Sequence, residues 1–182
     1  MHMPTALMIL ADGFEEVEAI TPLDLLRRAD VQITTAALGA QMHVTGRCQV
    51  TLHADTTLSA LPAEAKYDLL ILPGGPGVKA LRADSRVIQR VAAQYQAGGW
   101  LAAICAAPTV LHDAGLLTHR RYTAHQSVKN ELPALLENDR VVVDGTIITS
   151  RGAGTALDFG LKLVEILAGA AKAKEVSASI HA

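Results

Sequence analysis

The chain has 182 residues, the size of one ordinary domain and enough to bury a sizeable core. Half of it is apolar but only 3% is aromatic, so the core must be built from Ala, Val, Leu and Ile, which suits parallel strands covered by helices on both faces. A net charge of −2 without any basic run removes the electrostatic case for a nucleic-acid or anionic-membrane partner, and two cysteines, Cys48 and Cys105, are too few for a disulfide scaffold.

Thr5–Leu10 reads as a first strand, and the apolar run Ala6–Ala11 is too short for a secretory leader. No stretch approaches the roughly 20 apolar residues of a membrane helix. A reducing, cytoplasmic location is the expectation. Glu15–Ala29 follows as a helix, kinked or restarted at Pro22, and Val31–Leu38 is a strand rich in Thr and Val. Val44–Asp55 carries two short alternating runs around Gly46 and predicts a small hairpin. Asp68–Leu72 is a buried strand ending in Pro73-Gly74-Gly75, and Ser85–Ala97 is an amphipathic helix stopped by Gly98-Gly99.

Leu101–Ile104 predicts another buried strand, with a helix from about Ala106 to Ala114. Tyr122–His125 reads as a short strand and Ser127–Leu136 as a helix. Val141–Val143 and Thr146–Ser150 flank Asp144-Gly145, a strong hairpin signal. Thr155–Leu167 is the last long helix, with a short one over Lys172–Ser179. No repeat, low-complexity tract or linker divides the chain, so residues 1–182 are expected to form one domain. Alternation of this kind predicts an α/β, doubly wound, largely parallel sheet, with ligands bound outside the carboxyl ends of its strands.

The strongest chemical signal is Ala102-Ala103-Ile104-Cys105-Ala106-Ala107-Pro108. A buried strand runs into a cysteine and then into small residues opening a helix, as a nucleophile on a crowded turn requires. Helix-end amides would lower the thiol pKa from about 8.5 and favour the thiolate. A buried structural cysteine is the equal alternative. Glycines in Leu72-Pro73-Gly74-Gly75-Pro76-Gly77 allow close backbone approach, so the Gly75 and Ala106 amides can form an oxyanion cradle; an ordinary turn is the alternative.

In Asp12-Gly13-Phe14-Glu15-Glu16-Val17-Glu18, dipole preference accounts for Glu15 and Glu16 in the first helical turn. Glu18, beside apolar Ala19 and Ile20, is the candidate inward carboxyl, held protonated by burial and able to donate to Cys105. His125 can serve as base or proton shuttle, though a lone histidine is more often a surface or capped residue. Ser150–Thr155 is either a tight turn or an anion cradle. Glu15 and Glu18 have no His or Cys near them in sequence, so no metal site is expected.

Taken in order, these residues resemble the ThiJ/PfpI superfamily, in the branch of the parkinsonism-associated deglycase and the bacterial YajL chaperone. Ala6–Ala11, Gly13, Glu15, Glu16, Glu18, Asp24-Leu25-Leu26-Arg27-Arg28, Leu72–Gly75, Ala102–Pro108, Thr149–Gly152 and Gly154-Thr155 carry the resemblance over nearly the whole chain. It implies a flavodoxin-like three-layer sandwich, like that of class I glutamine amidotransferases, and a homodimer. It also implies a reactive Cys105, a protonated Glu18, donors at Gly75 and Ala106, and the family histidine at His125. Gly74, Asp24 and Arg28 fall on positions that line the pocket or the dimer surface in relatives. The family's Cys-Ser-Arg run is altered at Gly46-Arg47-Cys48, so roles there do not carry over.

The residue after Cys105 is Ala106 rather than the protease branch's histidine, and no His-x-Glu occurs, which disfavours a Cys-His-acid triad. The activity implied is cofactor-independent. Cys105 would act on α-oxoaldehydes, converting methylglyoxal to lactate like a glyoxalase III, or on early glycation adducts like a deglycase. The alternatives are an oxidative-stress sensor or chaperone working through oxidation of Cys105 and, more weakly, a protease or amidase.

Overall fold

Every odd and every even position of Thr5–Leu10 (β1) is buried or nearly so, as a strand covered on both faces demands. In the computed structural model, which describes residues 3–182, β1 lies at the heart of a seven-stranded sheet. Its partners are Gln32–Ala37 (β2) on one side and Leu69–Leu72 (β6) on the other, both parallel. The chain turns one way from β1 and then the other, which places a crevice outside the carboxyl ends of β1 and β6. Beyond β6 come Trp100–Ile104 (β7), then Ile147–Ser150 (β9), both parallel, and Val141–Asp144 (β8), antiparallel at the edge. Thr56–Thr57 (β5) closes the opposite edge against β2.

Helices form a layer on each face. Glu16–Arg28 (α1), Ala156–Ala168 (α5) and Ala170–Ser179 (α6) pack on the face that carries Ala6, Met8, Leu10, Ile71 and Ile104. Val78–Ala83 (α2), Ser85–Gln96 (α3) and Pro108–Asp113 (α4) cover the face that carries Leu7, Ile9, Leu70, Leu72 and Ala103. This is the expected three-layer sandwich. Pro22 does not restart α1, which runs through it as one helix against Gly160 of α5. The predicted hairpin is His43–Thr45 (β3) against Thr51–His53 (β4).

Two expectations fail between residues 121 and 136. Tyr122–His125 is not a strand, and Ser127–Leu136 holds only a 3-10 turn over Gln126–Val128. Both flanks of β9 are already taken by β7 and β8, so no ladder position remains. The segment is instead pinned by single bonds. Thr123 N–H donates to Thr149 Oγ1 (2.9 Å), Leu136 N–H to the Tyr122 carbonyl (2.8 Å) and His125 N–H to the Cys105 carbonyl (2.8 Å).

Candidate functional site

Three strand ends meet in the crevice. The turn after β1 leads through Gly13 into α1, where Glu15 caps the helix by accepting the Glu18 N–H on its Oε2 (2.9 Å). The turn after β6 is locked to it, since Glu15 N–H donates to the Gly74 carbonyl and Gly77 N–H to the Gly13 carbonyl, each at 3.0 Å. The turn after β7 carries Cys105, whose φ of 66° is rare for a residue with a side chain. Such backbone strain costs about 1–3 kcal/mol and persists only where neighbours enforce it. Here Cys105 N–H donates to the Ser150 carbonyl (2.9 Å), and its own carbonyl accepts from His125 N–H.

Glu18 is buried, with 1% of its surface exposed. Its Oε2 accepts the Gly74 N–H (2.9 Å), and the carboxyl bonds the Cys105 thiol. Gly74 has no room for a side chain: a Cβ there would stand 2.5 Å from both Cys105 Cβ and Glu18 Oε2. Burial raises the Glu18 pKa to about 7, and the Glu15 carboxylate adds to this. The bonds from Cys105 and Gly74 and the charge of Arg47 oppose it. Glu18 thus lies where an inward carboxyl was expected.

Cys105 is half-buried. Burial, reinforced by the charge and hydrogen bond of Glu18, pushes its thiol up to about 12, against amide donors at Gly75 and Ala106. This direction is opposite to the one expected from a helix end. The reason is geometric: α4 starts only at Pro108 and spans six residues, so the sulfur meets two individual amides rather than a long helix terminus. Two acids facing one another release their protons as a pair. The first leaves near the raised Glu18 value, and the second is held far higher. When the remaining proton sits on Glu18, the repulsion on sulfur vanishes and the carboxyl O–H becomes a third donor to it.

His125 is exposed at the rim. Its Nδ1 accepts the Ser127 N–H (3.2 Å) and lies 2.9 Å from Ser127 Oγ, so the neutral ring carries its proton on Nε2. Its Cδ2 edge flanks Gly152, whose other neighbour is Glu18 Oε1, with a Cβ at 152 standing 3.5 and 3.7 Å from them. Ser150–Thr155 is a tight turn rather than an anion cradle: Thr155 Oγ1 accepts the Gly152 N–H (3.1 Å), and Thr155 N–H donates to the Gly152 carbonyl (2.8 Å). Asp24 and Arg28 bond each other (2.7 Å) on the exposed surface of α1, and among the described residues no hydrogen bond of theirs leads to Cys105.

Sequence reasoning passed over two residues. Glu16 is buried rather than a dipole-favoured surface acid, and its Oε1 accepts from Cys48 N–H (2.7 Å) and Val50 N–H (3.3 Å). It thereby anchors the loop in which Arg47 N–H donates to the Phe14 carbonyl (2.8 Å). Arg47, set aside because of the altered run, is the cation whose charge reaches Glu18. Gly46 leaves room for that carboxylate, since a Cβ there would overlap Glu16 Oε1. Among the described residues no group of three or more His, Cys, Asp or Glu is placed to hold a metal ion. No helix among them is long and apolar enough to cross a membrane.

Comparison with known proteins identifies the family. The model of the DJ-1/PfpI family matches residues 4–166. The chain is 41% identical to Drosophila melanogaster Protein dj-1beta over 177 residues, covering 95% of this chain and 94% of that one. It is 33% identical to the Caenorhabditis elegans protein named glutathione-independent glyoxalase DJR-1.2 over 172 residues, covering 92% and 91%. The crystal structure of Drosophila melanogaster DJ-1beta superposes with a TM-score of 0.94 at 40% identity, covering 98% of each chain.

Proposed function

The chain belongs to the DJ-1/PfpI family, and from that premise we propose that it is a stress-protection protein converting small α-oxoaldehydes to 2-hydroxy acids without an added cofactor. The observation that carries this reading is the convergence of the Glu18 carboxyl and the Gly75 and Ala106 amides on the Cys105 sulfur. The name of the nematode relative, a glyoxalase, supports the substrate class.

In the reactive form the pair's remaining proton sits on Glu18. The sulfur adds to the aldehyde carbon, forming an S–C bond. The new alkoxide rests on the Gly75 and Ala106 amides and takes the Glu18 proton. The Glu18 carboxylate then removes the C1 proton of the hemithioacetal, and the electron pair moves into a C1–C2 enediolate. A carboxyl with a pKa near neutral is matched to that transfer. The Nε2–H of His125, at the rim, is available to the C2 oxygen. Glu18 returns the proton to C2, and the C1 hydroxyl proton passes to the C2 oxygen, leaving a thioester isomeric with the hemithioacetal. Water cleaves the thioester to the 2-hydroxy acid and regenerates the thiol. Hemithioacetals already formed on protein thiols would release their aldehyde into the same route.

The test is direct. Wild type and Cys105→Ser are given methylglyoxal while lactate is followed enzymatically. Lactate formation lost in Cys105→Ser is expected, and equal formation by both proteins removes the reading. A second reading rests on a partly exposed Cys105 beside an acid that can donate to it. Peroxide would oxidise the thiolate to sulfenic acid with release of water, and a second peroxide would give the sulfinic acid. Mass spectrometry after mild peroxide should find the added oxygen on Cys105 before exposed Cys48.

A further inference from the structure

A groove of about 480 Å³ runs along the outside of the site between α2 and α4. This is ample for a small-molecule subsite, since ligand pockets span about 300–1,000 Å³. Gly75 and Ala106, whose amides address the Cys105 sulfur, also line it. Val78 and Ala83 form its α2 wall, and Val128, three residues after His125, faces them.

Its polar groups are largely consumed. The Arg82 guanidinium binds Asp113 of α4 through Nε (2.6 Å) and Nη2 (2.9 Å), and Glu131 through Nη1 (2.7 Å). The Thr109 hydroxyl donates to the Ala106 carbonyl (2.7 Å), and Lys79 is exposed to water. What remains for a ligand is an apolar trough that begins at the two amides. The Arg82 clamp also ties together the segments that follow Gly75, Cys105 and His125, which fixes the width of the trough.

Resting on the aldehyde chemistry proposed above, we propose that this groove is the subsite for the substituent on the ketone carbon of the substrate, and that it favours apolar substituents larger than methyl. An adduct on Cys105 with its oxygen on the Gly75 and Ala106 amides would touch two of the residues that line the groove. Methyl leaves nearly all of it empty, whereas an aryl or branched alkyl arm removes apolar surface from water along Ala83 and Val128.

The experiment compares Cys105 alkylation by iodoacetamide and by N-phenyliodoacetamide, and in parallel kcat/KM for methylglyoxal and phenylglyoxal. Wild type is set against Val78→Trp and Ala83→Phe, the second at an exposed rim position in case the first, at a buried one, fails to fold. Each variant is expected to lower the aryl-to-small ratio about tenfold in both assays, the size of effect that filling an apolar pocket produces. An unchanged ratio in a folded variant overturns the subsite. Because alkylation needs no turnover, the two ideas separate: methylglyoxal turnover with an immovable ratio removes the groove alone. A ratio that moves in a protein without aldehyde turnover removes the reaction alone.

Discussion

In the proposed reaction Cys105 and Glu18 carry the chemistry, and each is defined by the other. Neither burial nor two amides alone makes a useful nucleophile; the carboxyl that keeps a proton to about 7 does, because it turns from a repelling charge into a donor. Replacing Glu18 with Leu therefore removes the partner that lets the sulfur ionise at the first step. The midpoint of Cys105 alkylation against pH should move upward, by a unit or more. A midpoint that stays or falls would show that the carboxyl only opposes the thiolate. Gly74→Ala tests the packing between them, since its methyl would stand 2.5 Å from both Cys105 Cβ and Glu18 Oε2. A loss of about 1–3 kcal/mol in urea unfolding is expected, with alkylation of Cys105 disturbed as well. At this scale the sequence was readable where a residue type contradicted its surroundings, as Glu18 did between apolar neighbours. It was opaque where the surroundings come from elsewhere in the chain. Glu16 is buried by the 46–50 loop, which lies some thirty positions away.

At the scale of elements, local pattern sufficed for pieces that the sheet covers on both faces. β1, β6 and β7 are uninterrupted apolar runs, and each was found within a residue of its place. Tyr122–His125 has the composition of a strand but no free ladder beside it, a fact about neighbours that no local pattern contains. α2 was missed because six residues between two loops carry too little periodicity to register. Pro22 shows the converse. A proline inside a helix should break it, yet α1 continues through Pro22, and Gly160 lets α5 pack closely against it: a Cβ at 160 would stand 3.2 Å from Pro22 Cα and 2.6 Å from Leu25 Cδ1. Gly160→Val should thus cost roughly 1–3 kcal/mol by overpacking the α1–α5 contact. Urea unfolding would show it as a lower midpoint with unchanged slope. A neutral result would mean that the two helices separate easily and that α1, with Glu18 on it, is not held by α5.

For the molecule as a whole, the order of elements was enough to predict a doubly wound sheet and the side on which a site must form, because handedness and short connections leave few ways to arrange them. What the order could not supply is the energetic cost of burying an acid pair at that point, and this cost is measurable as a dependence of global stability on pH. In the unfolded chain Glu18 titrates near its ordinary value of 4.5, whereas in the folded one burial holds its proton to about 7. Between those values the folded state binds more protons than the unfolded state, so stability falls as pH rises, opposite to the usual paired carboxylate. The full loss is about 3 kcal/mol, complete once the folded pair has released its first proton. Glu18→Gln has no proton to hold, and other titrating groups cancel when the two proteins are compared. The difference in unfolding free energy, wild type minus Glu18→Gln, should decline from near pH 4.5 to near 7 and then level off. A difference that is flat across that window, or that rises through it, would mean that the buried carboxyl is ionised throughout and that the proton needed on Glu18 for attack on an aldehyde is not there.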